Sequence, residues 1–311
     1  MAKRKPLNPA DFIAPLYMNG LQGRMLRLPA PANKKREILL IYGHHASIER
    51  MFGLAEDLNQ YGAVTLPDLP GFGGMESFYR IGHKPTLDNL ADYLASFIKL
   101  RYKRKRLTIM GMSFGFLVVT RMLQKYPELV NKVDMVVSIV GFAHKDDFKF
   151  SSRNYWLLRT GGAIFSNPVA AWFARHVALQ RPFIKAAYTL VADKHVKMKD
   201  ADTEERNRRI DFEVHLWQCN DVRTYMETSV TMLTVDLCNA QVPLPVYHIA
   251  VDEDRYFNNS IVEEHLSVIY GKVYMIKSKM DGHAPTVVAD AKAAAPFMPS
   301  KMRRLLSKAV A

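Results

Sequence analysis

Short, mostly apolar runs alternate with amphipathic stretches along the first half of this chain, and few architectures satisfy both. Ile38-Leu39-Leu40-Ile41-Tyr42, Ala63-Val64-Thr65-Leu66, Leu107-Thr108-Ile109-Met110 and Val133 to Val140 are too short for buried helices and lack the in–out alternation of a half-solvated strand. Strands covered on both faces have this pattern. Between them, Ile48 to Gln60 carries Met51, Leu54, Ala55 and Leu58 at helical spacing, and Leu87 to Leu100 repeats the pattern. The alternation predicts an α/β fold, a mostly parallel central sheet with helices on both faces. Ahead of it, Phe12 to Tyr17 and Arg24 to Leu28 flank Asn19-Gly20 and Gly23, which suggests an antiparallel pair at the sheet edge.

The pattern lapses from about residue 142 to 240. That stretch is rich in Trp, Tyr, Phe and Met at helical spacing, without a convincing buried strand, and resumes the sheet pattern at Val246 to Val251 and Val273 to Ile276, with a helix around Ile261 to Tyr270 between them. The expected organisation is a core of residues 1–141 and 241–311 with a helical cap inserted at 142–240. A length of 311 residues suits one core plus an insertion, and 49% hydrophobic with 23% charged residues is a globular balance. Ser300 to Ala311 reads as a short basic amphipathic tail.

Composition also limits the function classes. Two cysteines, Cys219 and Cys238, without a CxxC or Cys/His neighbour suggest reduced thiols rather than a metal centre. Lys3, Arg4 and Lys5 precede no apolar run of signal-peptide length, and no segment reaches about 18 uninterrupted apolar residues. Neither secretion nor a membrane span is expected, and a cytoplasmic location is. The formal charge of +13 gathers at Lys34 to Arg36, Arg101 to Arg106 and Lys301 to Arg304. Solvated surface is the ordinary explanation. Peripheral membrane contact through these basic patches, including the tail around Lys301 to Lys308, is the alternative. No nucleic-acid partner is expected, because the basic loop Arg101 to Arg106 lacks an aromatic stacking platform.

Chemistry enters at Gly111-Met112-Ser113-Phe114-Gly115, a G-x-S-x-G sequence between an apolar strand and a helical pattern running to about Gln124. On a tight strand-to-helix turn the serine hydroxyl projects into a cleft, and the small flanking residues let strand and helix approach. Serine is a weak nucleophile near neutral pH, so it needs a base and the base an orienting carboxylate. Asp254, in Val251-Asp252-Glu253-Asp254, and His283, in Asp281-Gly282-His283-Ala284-Pro285, each follow a predicted strand, in the chain order serine, acid, histidine. Asp252 is the nearest rival for the acid, and Asp146 or Asp147 a remoter one. The oxyanion donors are expected to be the backbone N–H of Phe114 and that of His44, in the loop Tyr42-Gly43-His44-His45-Ala46-Ser47. Metal is not expected at His44 and His45, because adjacent histidines diverge and no acidic partner lies close in sequence.

At these residues the chain resembles the α/β-hydrolase superfamily, in the branch with a helical cap. Asp68-Leu69-Pro70-Gly71-Phe72-Gly73 is similar to the family's Asp-x-x-Gly-x-Gly turn, Leu107 to Pro127 to its elbow and following helix, and Gly282-His283 to its histidine loop. The position of Asp254 relative to Pro245 also matches the family's acid, which favours it over Asp252. The resemblance spans about residues 36–141 and 241–297. It departs at Tyr42-Gly43, where His-Gly is usual, and at Phe116, where glycine is common and a phenyl ring should crowd the helix start. It implies hydrolysis through an acyl-enzyme, with no cofactor, and little about the substrate. The activity expected is cleavage of an ester-like bond (carboxylic ester, thioester or lipid acyl) in a small, apolar acyl substrate. Lactonase, peptidase, acyltransferase and C–C hydrolase activities use the same constellation, and a non-catalytic binding protein on this fold is the alternative outside enzymes. Dehalogenase and epoxide hydrolase chemistry is disfavoured, because those relatives carry a carboxylate where this chain has Ser113. Tyr155, Trp156, Phe165, Trp172, Phe173, Trp217 and Met226 are candidates either for an apolar acyl site or for the cap's own core.

Overall fold

The computed structural model describes residues 8–191, 202–252, 254–278, 283 and 291–308. Of the residues singled out above, Lys3, Arg4, Lys5, Glu253 and the neighbours of His283, Gly282 among them, lie outside the described residues.

Eight strands form one sheet: β1 (Ile13–Met18), β2 (Leu21–Leu28), β3 (Arg36–Ile41), β4 (Gly62–Pro67), β5 (Leu107–Met112), β6 (Val133–Ile139), β7 (Val242–Val251) and β8 (Tyr270–Ser278). Their order is β1-β2-β4-β3-β5-β6-β7-β8. From β4 through β8 every pairing is parallel, whereas β1 and β2 add an antiparallel edge. Every residue of β3, β4 and β5 is buried, which is why most of each sequence runs apolar without alternation. The hairpin turn is Asn19-Gly20 alone. Gly23 belongs to β2 rather than to the turn, where the missing side chain leaves room for Met75.

Connection direction places the helices. Helix α1 (Ile48–Asn59) carries the chain from β3 towards the β1 edge, while α2 (Leu87–Arg101) and α3 (Phe114–Lys125) carry it the other way. Right-handed crossovers then put α1 on one face and α2 and α3 on the other. Accordingly α2 packs on α3. The reversal falls between β3 and β5. Beyond their carboxyl ends such a sheet leaves a crevice, and ligands bind there.

Between β6 and β7 lie α4 (Ser152–Phe165), α5 (Pro168–Phe173), a π-turn at Ala174–Ala178, α6 (Arg181–Val191), α7 (Thr203–Cys219) and α8 (Val222–Met232). Helices α7 and α8 both contact the rest of the chain, α7 through Glu213 paired with Arg50. Thr224 packs against Gly71, its hydroxyl lies 2.7 Å from that of Ser77, and Tyr79 donates to Glu227 at 3.0 Å. The chain continues through α9 (Asn259–Ile269), packed on β8, and α10 (Ala291–Ala294), packed on α1. The last helix, α11 (Ser300–Ser307), buries Met302 and Leu306 in the main core.

Two of the basic clusters therefore have structural members. Arg36 is buried, donating to the carbonyls of Leu306 and Lys308 and to Thr108, and Arg303 forms a paired contact with Asp57. Solvated surface does not describe these two arginines, because the C-terminal helix folds back over them. Among the described residues no helix is long and apolar enough to cross a membrane.

Candidate active site

Ser113 sits between β5 and α3 with φ 48° and ψ −120°, a conformation that costs roughly 1–3 kcal/mol and persists only where its surroundings hold it. They do. A Cβ on Gly115 would land on the carbonyl oxygens of Ile41 and Tyr42, and one on Gly111 on the backbone of Phe116, so strand and helix touch at both glycines. The amide of Ser113 donates to the carbonyl of Ile139 at 2.9 Å, tying the turn to β6.

Phe116 does not crowd the helix start. Its ring is fully buried and stacks on Tyr270 at 5.9 Å, in space left by Gly141, where a Cβ would collide with it. Tyr42, the other departure from the family pattern, has a structural task. Its hydroxyl donates to Asp68 at 3.0 Å and accepts from the amide of Leu69 at 2.8 Å, locking the end of β3 to the Asp68 turn.

The structure brings three remote side chains into one hydrogen-bonded chain. His283 Nε2 lies 3.0 Å from Ser113 Oγ, and His283 Nδ1 lies 2.7 Å from Asp254 Oδ2. A carboxylate only accepts, so the ring proton resides on Nδ1, and the bare Nε2 of neutral imidazole faces the hydroxyl. The other carboxylate oxygen of Asp254 accepts from the amides of Tyr256, at 2.8 Å, and Phe257, at 3.2 Å. Burial by itself would raise the Asp254 carboxyl, but the hydrogen bond and charge of His283, with those two amides, hold it below its ordinary value. Tyr256 and Phe257 also wall the imidazole, each with its ring centroid 5.1 Å away.

The rival acids point elsewhere. Asp252 is largely exposed and pairs with Lys277 at 3.1 Å, and the buried Asp147 pairs with His265 at 2.6 Å. Asp146 is exposed and lies 3.5 Å from His144.

Gly43 approaches the elbow so closely that a Cβ there would lie 3.1 Å from that of Ser113, and the next residue, His44, lines the same cavity as Ser113. Phe114 opens α3, where the first amides of a helix have no intrahelical acceptor. Among the described residues neither the His44 nor the Phe114 amide has an acceptor. The His44 imidazole turns towards α8, with Nε2 3.1 Å from the carbonyl of Tyr225 and 2.9 Å from the hydroxyl of Thr228. Burial, and then the neighbouring His45, push it down to about 3, against the hydrogen bond to Tyr225. The His45 ring lies against that of Trp217, 4.5 Å between centroids and tilted by 51°, and 3.3 Å from Glu213, a buried carboxylate of α7 that also pairs with Arg50. An acid thus reaches the paired histidines from far along the chain. Even so, no group of three or more metal-ligating side chains exists among the described residues.

Ser113 and His283 open onto a cavity of about 40 Å³, walled otherwise by Gly43, His44, Ala46, Arg50, Met51 and Met112. Its apolar lining comes from the core and not from the cap aromatics. Trp156, Phe165, Trp172 and Phe173 are exposed, while Trp217 lies against His45 and Tyr225, and Met226 packs on Ala171, Ala174 and Val222. Helical spacing foretold amphipathic helices but not which way their apolar faces turn. Sequence reasoning also missed Arg50, Tyr225 and Thr228. Arg50 reads as an ordinary surface position of α1, and no local signal pairs α8 with His44.

The alpha/beta hydrolase fold family model matches residues 38–266. The chain belongs to the α/β-hydrolase family. No curated protein sequence matches it. Among solved structures, this α/β-hydrolase is similar to a membrane phospholipase A described as a bacterial virulence factor (TM-score 0.67, 16% identity, covering 96% of this chain and 87% of that one). It is also similar to the enol-lactonase of Burkholderia xenovorans (TM-score 0.64, 14% identity, 95% and 100% covered) and to an esterase from Exiguobacterium antarcticum (TM-score 0.63, 11% identity, 85% and 90% covered). At these identities the likeness is one of fold.

Proposed function

We propose that this α/β-hydrolase is a serine hydrolase that cleaves an ester-like bond through an acyl-enzyme. The observation that carries the reading is the unbroken chain from Ser113 Oγ through His283 to Asp254, at 3.0 and 2.7 Å. His283 Nε2 takes the hydroxyl proton as Oγ attacks the carbonyl carbon, and Asp254 holds the ring in that tautomer and stabilises its charged form. The His44 and Phe114 amides receive the developing negative charge; losing such a donor typically costs about 3–4 kcal/mol of transition-state stabilisation. Collapse of the tetrahedral adduct expels the leaving alcohol, thiol or enol with the proton from His283. Water then attacks the acyl-serine by the same route and regenerates the enzyme.

The esterase and the enol-lactonase of similar fold support acyl transfer as the chemistry. The cavity of about 40 Å³ beside Ser113 favours a short acyl group in this closed arrangement. The test is labelling of the full chain by a fluorophosphonate probe, followed by hydrolysis of p-nitrophenyl esters of increasing acyl length. Labelling that vanishes in Ser113→Ala, with acetate and butyrate esters cleaved faster than long-chain ones, is the expected result. A folded protein that does not label would be a non-catalytic member of the fold.

A further inference from the structure

Helices α4 to α6 carry most of the exposed large hydrophobic side chains among the described residues. Among the described residues fourteen large hydrophobic side chains are exposed, and eleven of them fall between Trp156 and Leu190. Val169 is 76% exposed, Trp172 60% and Leu190 86%. They sit on α4, α5, the π-turn and α6. Helices α4 and α5 pack on α8 and α6 packs on α7, and α7 and α8 in turn contact the rest of the chain. A contiguous stretch of chain with this much uncovered apolar area marks an interaction surface.

Its charge identifies the partner. Residues 151–191 contain Arg153, Arg159, Arg175, Arg181 and Lys185 and not one Asp or Glu. Arg181 and Lys185 share Asp211 of α7, at 3.4 and 2.6 Å, and Arg175 donates to the carbonyls of Trp217 and Gln218. Arg159 lies 5.4 Å from the Trp156 ring, and the Trp172 ring stacks on His176 at 4.5 Å, so each exposed indole stands beside a basic side chain. A second copy docking by the same face would set cation against cation, since a two-fold interface is self-complementary and this segment brings no carboxylate. An anionic bilayer complements both properties, with phosphates for the arginines and hydrocarbon for the indoles and aliphatic side chains.

We infer that the outer face of the cap, α4 to α6, docks on the surface of a membrane containing anionic lipid. The basic tail is a poorer surface, because the apolar side of α11 is already buried in the core. Docking rests on the surface of the cap and not on the chemistry at Ser113, so Ser113→Ala protein should bind as wild type does.

The test is flotation of the full chain with phosphatidylcholine vesicles, with and without phosphatidylglycerol, at low and high salt. Wild type should float with the anionic vesicles, less so at high salt, and only weakly with neutral ones. Trp172→Ser with Phe173→Ser removes two exposed anchors without touching the core, and should weaken partitioning by about tenfold or more at either salt. Arg153→Glu with Arg159→Glu should weaken it by about tenfold at low salt and little at high salt. Retained thermal melts show that each variant is folded. The inference is overturned if wild type ignores both vesicles, if the aromatic variant floats as well as wild type, or if Lys301→Glu with Arg304→Glu abolishes flotation instead. It is equally overturned if sedimentation velocity finds a dimer that the aromatic variant lacks, since a second copy would then cover this face.

Discussion

His44 reaches from the core into the cap, its Nε2 2.9 Å from the Thr228 hydroxyl on α8, across 184 positions of sequence. Because the nearby Tyr225 carbonyl only accepts, Nε2 carries the ring proton, and depression of the imidazole to about 3 keeps it neutral at ordinary pH. The same residue lines the cavity onto which Ser113 opens. The hydrogen bond to Thr228 ties the loop after β3 to α8.

Thr228→Val should consequently lower kcat for a p-nitrophenyl ester by about tenfold while moving KM little, since a displaced oxyanion donor acts on the transition state. Thr228→Ser should restore it. Steady-state kinetics of the two variants decide. Loss in Thr228→Ser with none in Thr228→Val would mean that the methyl group, and not the hydroxyl, matters.

Asp254→Asn should reduce kcat by roughly 10⁴-fold, because an amide facing His283 Nδ1 favours the wrong tautomer. Asp252→Asn, on an exposed side chain paired only with Lys277 among the described residues, should stay within about twofold. Asp147→Asn should lower the melting temperature with little change in the kcat of folded enzyme, since its partner is His265. A collapse of activity in Asp252→Asn would reassign the acid.

Phe116→Ala should destabilise the protein by about 3–5 kcal/mol, as expected when a fully buried phenyl ring is removed and its cavity cannot collapse. Urea unfolding measures this. A neutral or stabilising result would mean that the ring strains the elbow after all.

His248 gives stability a pH dependence of known sign. It is buried beside Ser138, with Nδ1 2.8 Å from the hydroxyl, and burial pushes it down to about 4 even though Asp254 pulls the other way. The unfolded chain takes up a proton near pH 6.5 and the native site only near 4, so stability is full above 6.5 and falls as the pH drops through that window. The loss attributable to this one group is about 3 kcal/mol. Urea midpoints measured from pH 7 to pH 4 should fall more steeply in wild type than in His248→Asn. Parallel slopes would contradict the assignment.

The parallel sheet was legible because it leaves a one-dimensional trace: strands buried on both faces run mostly apolar without alternation, as the greater part of β3, β4 and β5 does. The elbow was legible for a related reason. Gly111 and Gly115 are demanded by contacts to residues a few positions away or on the neighbouring strand, so the requirement appears as a fixed local spacing around Ser113.

Spacing along the chain determined which residue types stood near the carboxyl ends of the strands, and it nominated Ser113, Asp254 and His283. Only the family resemblance, through the distance from Pro245, favoured Asp254 over Asp252; residue order alone did not, since a side chain's direction after a strand depends on how the loop closes. Tertiary structure turned Asp254 towards His283, gave Asp147 to His265, carried His44 to Thr228, and left the apolar side of the outer cap helices facing outward. Helical periodicity is a property of neighbours three and four residues apart. Which surface a helix face meets is settled by packing between segments a hundred or more residues apart, where no sequence period survives.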